Sequence, residues 1–252
     1  MVKSAPSASA GRKYFSFWQA PRDCQTGGAD QYLRWGAGVR RVQGKDPQAV
    51  AVEPVFKDDA GFVVSDASRW NEKYAAASLA PILRVEPLLE SHQRDIDGLL
   101  TPRTALDVAA GTCHAAVYLA KRGLHATALD CSAVGLALGE QLAKREGVAI
   151  ETVTADLAVT ELPGGPWSVV CCFRYLDRNL FPQMAAGLAP GGLLFYRTFN
   201  VHHLKKATAF NPEYVLQPGE LAREFSTLEI RSLSDGDDPG ENTSWIAARQ
   251  PA

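Results

Sequence analysis

The 252-residue chain has no apolar run near the roughly 20 residues that a membrane-spanning helix needs. It has no CxxC spacing, and its five cysteines (Cys24, Cys113, Cys131, Cys171 and Cys172) are odd in number, with two adjacent. That pattern argues against a disulfide framework or a zinc site, so no metal is expected, and it fits a reducing compartment. There is no excess of positive charge: 26 Lys and Arg stand against 28 Asp and Glu, a net charge of −2. Nucleic-acid binding driven by bulk charge is therefore not expected, although a local basic patch stays open. There is no secretory h-region, and membrane attachment is not expected. Glycine is also scarce at one telling place. In the turn 109–113 a dinucleotide fingerprint would carry glycine at Ala109 or Cys113, and only Gly111 is present.

What is present is an ordinary globular composition, with 46% hydrophobic and 21% charged residues. The first 22 residues hold Lys3, Arg12, Lys13 and Arg22, four serines and no acid. This suits either a mildly basic tail or a mitochondrial presequence. The protein is accordingly expected in the cytoplasm, with the mitochondrion as the alternative. Residues 1–65 are turn-rich, with "AVAVEPVF" and "GFVV" as two short strand candidates. We read 1–65 as an extension that borrows its order from a surface, either the main domain or an assembly partner, and 66–252 as the main domain. The aromatic cluster Tyr14, Phe15, Phe17 and Trp18 is the expected anchor of that extension.

"SDASRWNEKYAAAS" reads as a helix start capped by Ser68, with Trp70 and Tyr74 spaced i,i+4. The following apolar stretch has Pro87 as a kink or break. From residue 104 strands and helices alternate. "TALDVA", "LHATALD", "VAIETVTADL", "WSVVCCFRYL" and "LLFYRTFN" are strands. "HAAVYLAKRG" and "AVGLALGEQLAKREG" are helices stopped by Gly123 and Gly147, and "LFPQMAAGLAPGG" is a helix closed by a Pro-Gly-Gly turn. "TLEIRSLS" and "TSWIAAR" pair as a final hairpin. This order predicts an α/β fold: a doubly wound, mostly parallel seven-stranded sheet with a C-terminal antiparallel hairpin.

Ligands of such sheets bind beyond the carboxyl ends of the strands. Three of those ends carry acids: Asp107, Asp130 and Asp156. They suit a ligand with an amine, a ribose and an adenine, and they suit a diphosphate poorly, because Asp107 would repel phosphate at the helix start. S-adenosylmethionine has those groups. In this reading Asp107 holds the amino group, Ala109 and Gly111 form the turn that lets backbone approach, and Asp130 chelates the ribose. Ser132 caps the next helix, and Asp156 with Leu157 frames the adenine. For Asp107 the plain alternative is a helix-capping acid. For Asp130 it is a solvated strand end. Phe173 offers a π face to a sulfonium or packs in the core. Arg174 read as buried needs a partner, which an anionic substrate or an acid in the site would supply. His202 and His203 follow the fifth strand, as a base or as solvated loop residues. Cys171 and Cys172 are core candidates.

The motif "LDVAAGTCHAAVYLA" resembles the first motif of the class I S-adenosylmethionine-dependent methyltransferases, "LDLGCGTGRNALYLA" in typical form. "ALDCS" resembles their second motif and "ADL" their third. The likeness covers about residues 68–249. "WNEKY", "CCFRYLDRNLFPQMAAGLAPGGLLFYRTF" and "NPEYVLQPGEL" are most similar to the tellurite-resistance-like and thiopurine-like branch. The resemblance implies S-adenosylmethionine as cofactor and a small soft or anionic acceptor as substrate. It places Arg174 and Tyr175 at the acceptor pocket, with Tyr196 and Thr198 lining it and Trp70 and Tyr74 as a lid. Cys113 departs from the family glycine and is expected to point at the ligand and weaken its binding. That departure, with the extension, keeps open a structural or assembly subunit whose activity is weak or lost.

Overall fold

The structure is a computed structural model, and it describes residues 56–57, 63–64, 66–76, 81–100 and 102–252. Phe56–Lys57 pairs antiparallel with Val63–Val64, so the ends of the two short strand candidates do meet. The rest of the extension, including the Tyr14–Trp18 cluster and the basic segment 1–22, lies outside the described residues.

Among the described residues three helices precede the sheet: α1 (Asp66–Ala75), α2 (Pro87–Ser91) and α3 (Gln93–Asp97). The sheet strands are β1 (Thr104–Val108), β2 (His125–Asp130), β3 (Glu151–Thr154), β4 (Trp167–Phe173), β5 (Leu188–Phe199), β6 (Glu229–Ser234) and β7 (Thr243–Arg249). Between them run α4 (His114–Lys121), α5 (Ala133–Arg145), α6 (Leu180–Ala186) and α7 (Glu220–Glu224). The seven strands lie in the order β3-β2-β1-β4-β5-β7-β6. The first five are parallel, and β7 enters antiparallel between β5 and β6. The strand order reverses between β1 and β4, and sheets of this kind bind ligands outside the carboxyl ends of the strands at such a point.

The local causes follow from the sequence. In β1, Ala105 to Val108 are all buried, as expected of a central strand covered on both faces. Gly123 and Gly147 take φ of 79° and 72° just past α4 and α5, a backbone that glycine adopts without penalty. Ser132 caps α5: its Oγ accepts the Gly135 N–H at 3.0 Å. One face of the sheet carries an aromatic knot in which the Phe181 ring meets Tyr196 and Phe225 edge-on, each at 5.2 Å. The other face packs Leu88, Leu89, Ile96, Leu119 and Phe195 under α2, α3 and α4. Cys171 and Cys172 are core residues, buried on β4.

Four local expectations are corrected. Ser68 is the third residue of α1 and exposed, not the residue before its first turn; the helix begins at Asp66, whose Oδ1 accepts from Arg69 at 2.8 Å. Pro87 opens α2 at its first turn, where its missing N–H costs nothing. Pro190, Gly191 and Gly192 belong to β5 rather than to a turn, with Gly191 N–H donating to the Gln250 carbonyl at 3.0 Å. β3 is short: it ends at Thr154, and Asp156 lies two residues beyond. Among the described residues no helix is long and apolar enough to cross a membrane.

The aromatic knot sets a stability test. Phe181 is 1% exposed, so Phe181→Ala should leave a cavity and cost about 3–5 kcal/mol. A urea titration reads this as a lower midpoint at unchanged slope.

Candidate functional site

Two buried acids define the crevice. Asp107, 3% exposed, sits near the end of β1. Its Oδ2 accepts the Ala116 N–H at 2.9 Å, capping α4 from the preceding strand. Its Oδ1 has one weak donor, the Cys171 thiol at 3.6 Å. Burial pushes the Asp107 carboxyl up to about 7; the Ala116 and Cys171 hydrogen bonds and the Arg174 charge pull the other way. Asp130, 7% exposed, ends β2. Its Oδ2 accepts the Gly111 N–H and its Oδ1 the Ser132 N–H, both at 2.8 Å. Burial raises its pKa, and those two hydrogen bonds oppose the rise.

The turn between them is left-handed at three positions: Ala109, Gly111 and Cys113 have φ of 55°, 55° and 57°. The glycine conformation is therefore kept at Ala109 and Cys113 without glycine, at a cost of roughly 1–2 kcal/mol each. Cys113 does not point at the crevice. It is fully buried beneath α5, where a methyl group at Gly139 would collide with its Sγ and Cβ. The expectation that its side chain faces the ligand is corrected by this packing, which fills the space Gly139 leaves open.

Helix α1 lies over the turn. A methyl group at Gly111 would meet the Tyr74 hydroxyl at 2.5 Å, and one at Gly135 would meet the Tyr74 ring at 2.9 Å. Trp70 stacks on Tyr74 at 5.7 Å, and Lys73 Nζ lies 4.2 Å from the Trp70 ring. Burial and the Asp130 charge push the Tyr74 phenol up, so it stays a neutral donor. Asn71 fastens α1 in place: its Oδ1 accepts the Ser132 hydroxyl at 2.7 Å and the Val134 N–H at 3.2 Å. The sequence reading assigned Asn71 no role, although it lies inside the quoted "WNEKY".

Beyond β4 the chain makes another left-handed step at Arg174, φ 63°, with its N–H donating to the Arg197 carbonyl at 2.8 Å. Arg174 is exposed, as expected of an arginine that is hard to place in a core. Its charge reaches into the crevice, where it lowers the pKa of Asp107, Tyr74 and His114. His114, which the sequence reading left aside, opens α4. Its Nδ1 accepts the Arg84 N–H at 3.2 Å, so a neutral ring carries its proton on Nε2. Burial, followed by Arg174, Arg84 and Arg145, pushes its pKa down to about 4. The only sequence signal for it was its place directly after the turn.

Phe173 ends β4 half-buried against the α2–α4 face. Tyr175 is half-buried, and its carbonyl accepts the Tyr196 hydroxyl at 2.6 Å. Asp156 is exposed and caps its own turn through the Ala158 N–H at 3.0 Å, while Leu157 is buried. Tyr196 and Thr198 are 1% and 2% exposed and present no surface to a pocket; Tyr196 belongs to the aromatic knot. His202 and His203 are tied into loop packing. His202 Nε2 contacts the Gly236 carbonyl at 3.0 Å, and His203 stacks on Phe199 at 3.9 Å.

Residues 105–192 match the family model of a methyltransferase domain. A ubiquinone biosynthesis O-methyltransferase of Aeromonas salmonicida is 26% identical over 141 residues, which cover 53% of this chain. The match spans 58% of that relative's length. Among solved structures, TehB of Haemophilus influenzae aligns with TM-score 0.52 at 13% identity, covering 75% of this chain and 68% of TehB. A S-adenosylmethionine-dependent methyltransferase of Clostridium acetobutylicum aligns with TM-score 0.51 at 11% identity, covering 75% and 93%. The chain has the class I methyltransferase fold.

The packing of Cys113 gives a double-mutant test. Gly139→Ala should destabilise the protein by about 1–3 kcal/mol through overpacking. Adding Cys113→Gly should recover most of that loss, because the two sites share one space. Additive effects in thermal unfolding would place the thiol elsewhere.

Proposed function

We propose that the protein is a S-adenosylmethionine-dependent methyltransferase acting on a small soft or anionic acceptor. The observation that carries this reading is the pair of buried carboxylates, Asp107 and Asp130, flanking a left-handed turn at the carboxyl ends of adjacent strands. The donor set fits the cofactor. Asp107 Oδ1 is short of a strong donor, and an ammonium group supplies one. Asp130, already accepting from Gly111, Ser132 and Cys131, is the strand-end carboxylate that ribose hydroxyls would share. Asp156 and Leu157, past β3, flank the position of an adenine. A phosphate would meet two carboxylates here and is disfavoured.

When bound, S-adenosylmethionine supplies a methyl group on a sulfonium, a good leaving group. The chain's own residues align and desolvate the reactants. Alignment of this kind can supply roughly 7–11 kcal/mol. Trp70 and Tyr74 on α1 cover the crevice and keep water out. Phe173, at the end of β4, offers its π face to a cation. Arg174 gives the acceptor side a positive potential that draws an anion. Tyr175, the next residue, borders the same side. The low pKa of His114 keeps it neutral, a hydrogen-bond donor through Nε2. A soft anion carries its own electron pair, so no general base is needed. An oxyanion acceptor also accords with the O-methyltransferase named among the relatives. The motifs "WNEKY" and "NPEYVLQPGEL" support the tellurite-resistance-like and thiopurine-like branch. With Cys113 turned under α5, the glycine replacement no longer speaks for a lost activity.

Calorimetry with S-adenosylmethionine tests the reading. Asp130→Ala removes charge-assisted hydrogen bonds worth about 1.5–3 kcal/mol each, so binding should weaken at least roughly tenfold. An unchanged dissociation constant, with a melting curve showing the variant folded, contradicts the assignment.

The pH dependence has a definite sign. Asp107 has a folded pKa near 7 against an ordinary 3.8, so it costs stability that sets in above pH 3.8, grows as pH rises to 7 and levels off beyond it. A ligand ammonium pairs with that carboxylate. Binding should therefore tighten about five- to tenfold between pH 6 and 7.5. In Asp107→Asn the same titration should be weaker and flat across that range.

A further inference from the structure

On the far side of the sheet, separated from β1 by β4, β5 and β7, lies edge strand β6. Its register with β7 passes from Ile230↔Ala248 to Ser232↔Ala247, leaving Arg231 without a partner across. This bulge re-aims Ser232. It now stands opposite Ala247, which faces Phe195 on β5. His92 packs against Phe195 at 5.7 Å. The Ser232 hydroxyl and His92 Nε2 are 2.6 Å apart, and His92 Nδ1 lies 3.1 Å from Asp95 Oδ2. A carboxylate only accepts, so Asp95 fixes the proton of a neutral His92 on Nδ1. Nε2 is then left as acceptor for the Ser232 O–H. Nucleophile, base and orienting acid thus stand in hydrogen-bond sequence, an arrangement recognised by geometry rather than by order in the chain.

Two further observations concern Arg249, which joins Asp95 to a neighbouring cavity. Asp95 Oδ1 faces the guanidinium groups of Arg231 at 3.7 Å and Arg249 at 4.0 Å. Among the described residues, Arg249 Nε is a buried donor with no hydrogen-bond partner. Arg249 also borders a cavity of about 180 Å3 whose apolar wall includes Leu99, Leu100, Pro102, Ala189 and Pro190. A small, half-apolar cavity beside the partnerless Nε of Arg249 suits a short acyl group whose carbonyl oxygen becomes negative. The plain alternative is a polar clasp tying α3 to β6.

We infer that Ser232, His92 and Asp95 form a second reactive centre that hydrolyses small carboxylic esters through an acyl-serine. Ser232 Oγ bonds to the acyl carbon while its proton passes to His92 Nε2. The bond from that carbon to the alcohol oxygen breaks, and the alcohol leaves with the proton from His92. Water then repeats the sequence on the acyl-serine, releasing the acid and restoring the serine hydroxyl. Nothing is oxidised or reduced. The centre shares no residue with the crevice at Asp107 and Asp130, so it stands independently of the methyltransferase reading.

The test is covalent labelling of the full-length protein with a fluorophosphonate, with the modified peptide mapped by mass spectrometry. One equivalent on Ser232 is expected. The label should be absent in Ser232→Ala and form at least tenfold more slowly in His92→Ala, and p-nitrophenyl acetate hydrolysis should fall in parallel. The wild-type result decides the matter even if a variant folds poorly. No label on the wild-type chain, or a label on another residue alone, overturns the proposal and leaves the clasp. Ester hydrolysis that persists unchanged in a folded Ser232→Ala also overturns it.

Discussion

The Asp130 carboxylate ties two turns together with its two oxygens. One holds the Gly111 N–H of the turn after β1, and the other the Ser132 N–H of the turn after β2. The Asp130 carbonyl takes the Ala155 N–H at 3.0 Å, so the segment after β3 is bound to the same residue. Ser132 in turn caps α5 and donates its hydroxyl to Asn71 of α1. Strand ends, helix starts and the covering helix are thus set by one buried acid. Burying that charge is costly, and the hydrogen bonds offset the cost only in this arrangement.

The turn shows how a motif persists when its letters change. Ala109 and Cys113 keep the left-handed backbone that glycine would adopt freely. The thiol needs room, and Gly139 on α5 supplies it. A departure that looks damaging along the sequence is absorbed by a residue 26 positions later in the chain. Cys113 is fully buried, with its thiol packed against Gly139.

Features that depend on local chemistry were legible in the sequence. The seven strands, the Gly123 and Gly147 stops, the Ser132 cap and the acids at the ends of β1 and β2 follow from apolar runs and turn residues. Features that depend on distant partners were not. Asn71 and His114 acquire their geometry from Ser132 and Arg84, 61 and 30 residues away. Arg174, hard to place in a core from the sequence, is exposed at a left-handed step that no local residue signals. Tyr196 and Thr198 alternate along β5 in a way that fits a pocket as well as a core; packing under Phe181 and Phe225 places Tyr196 in the core. Pro190–Gly192 reads as a turn locally and becomes strand only because β7 ends beside it.

The central claim is that a cationic, ribose-bearing cofactor seats on the turn between Asp107 and Asp130. A crystal structure of the full chain grown with S-adenosylhomocysteine tests it most directly. The account predicts density over Gly111 beneath α1, with the ribose hydroxyls on Asp130 and the amino group on Asp107 Oδ1. A ligand seated elsewhere, or an unliganded crevice in crystals grown at saturating concentration, would contradict it.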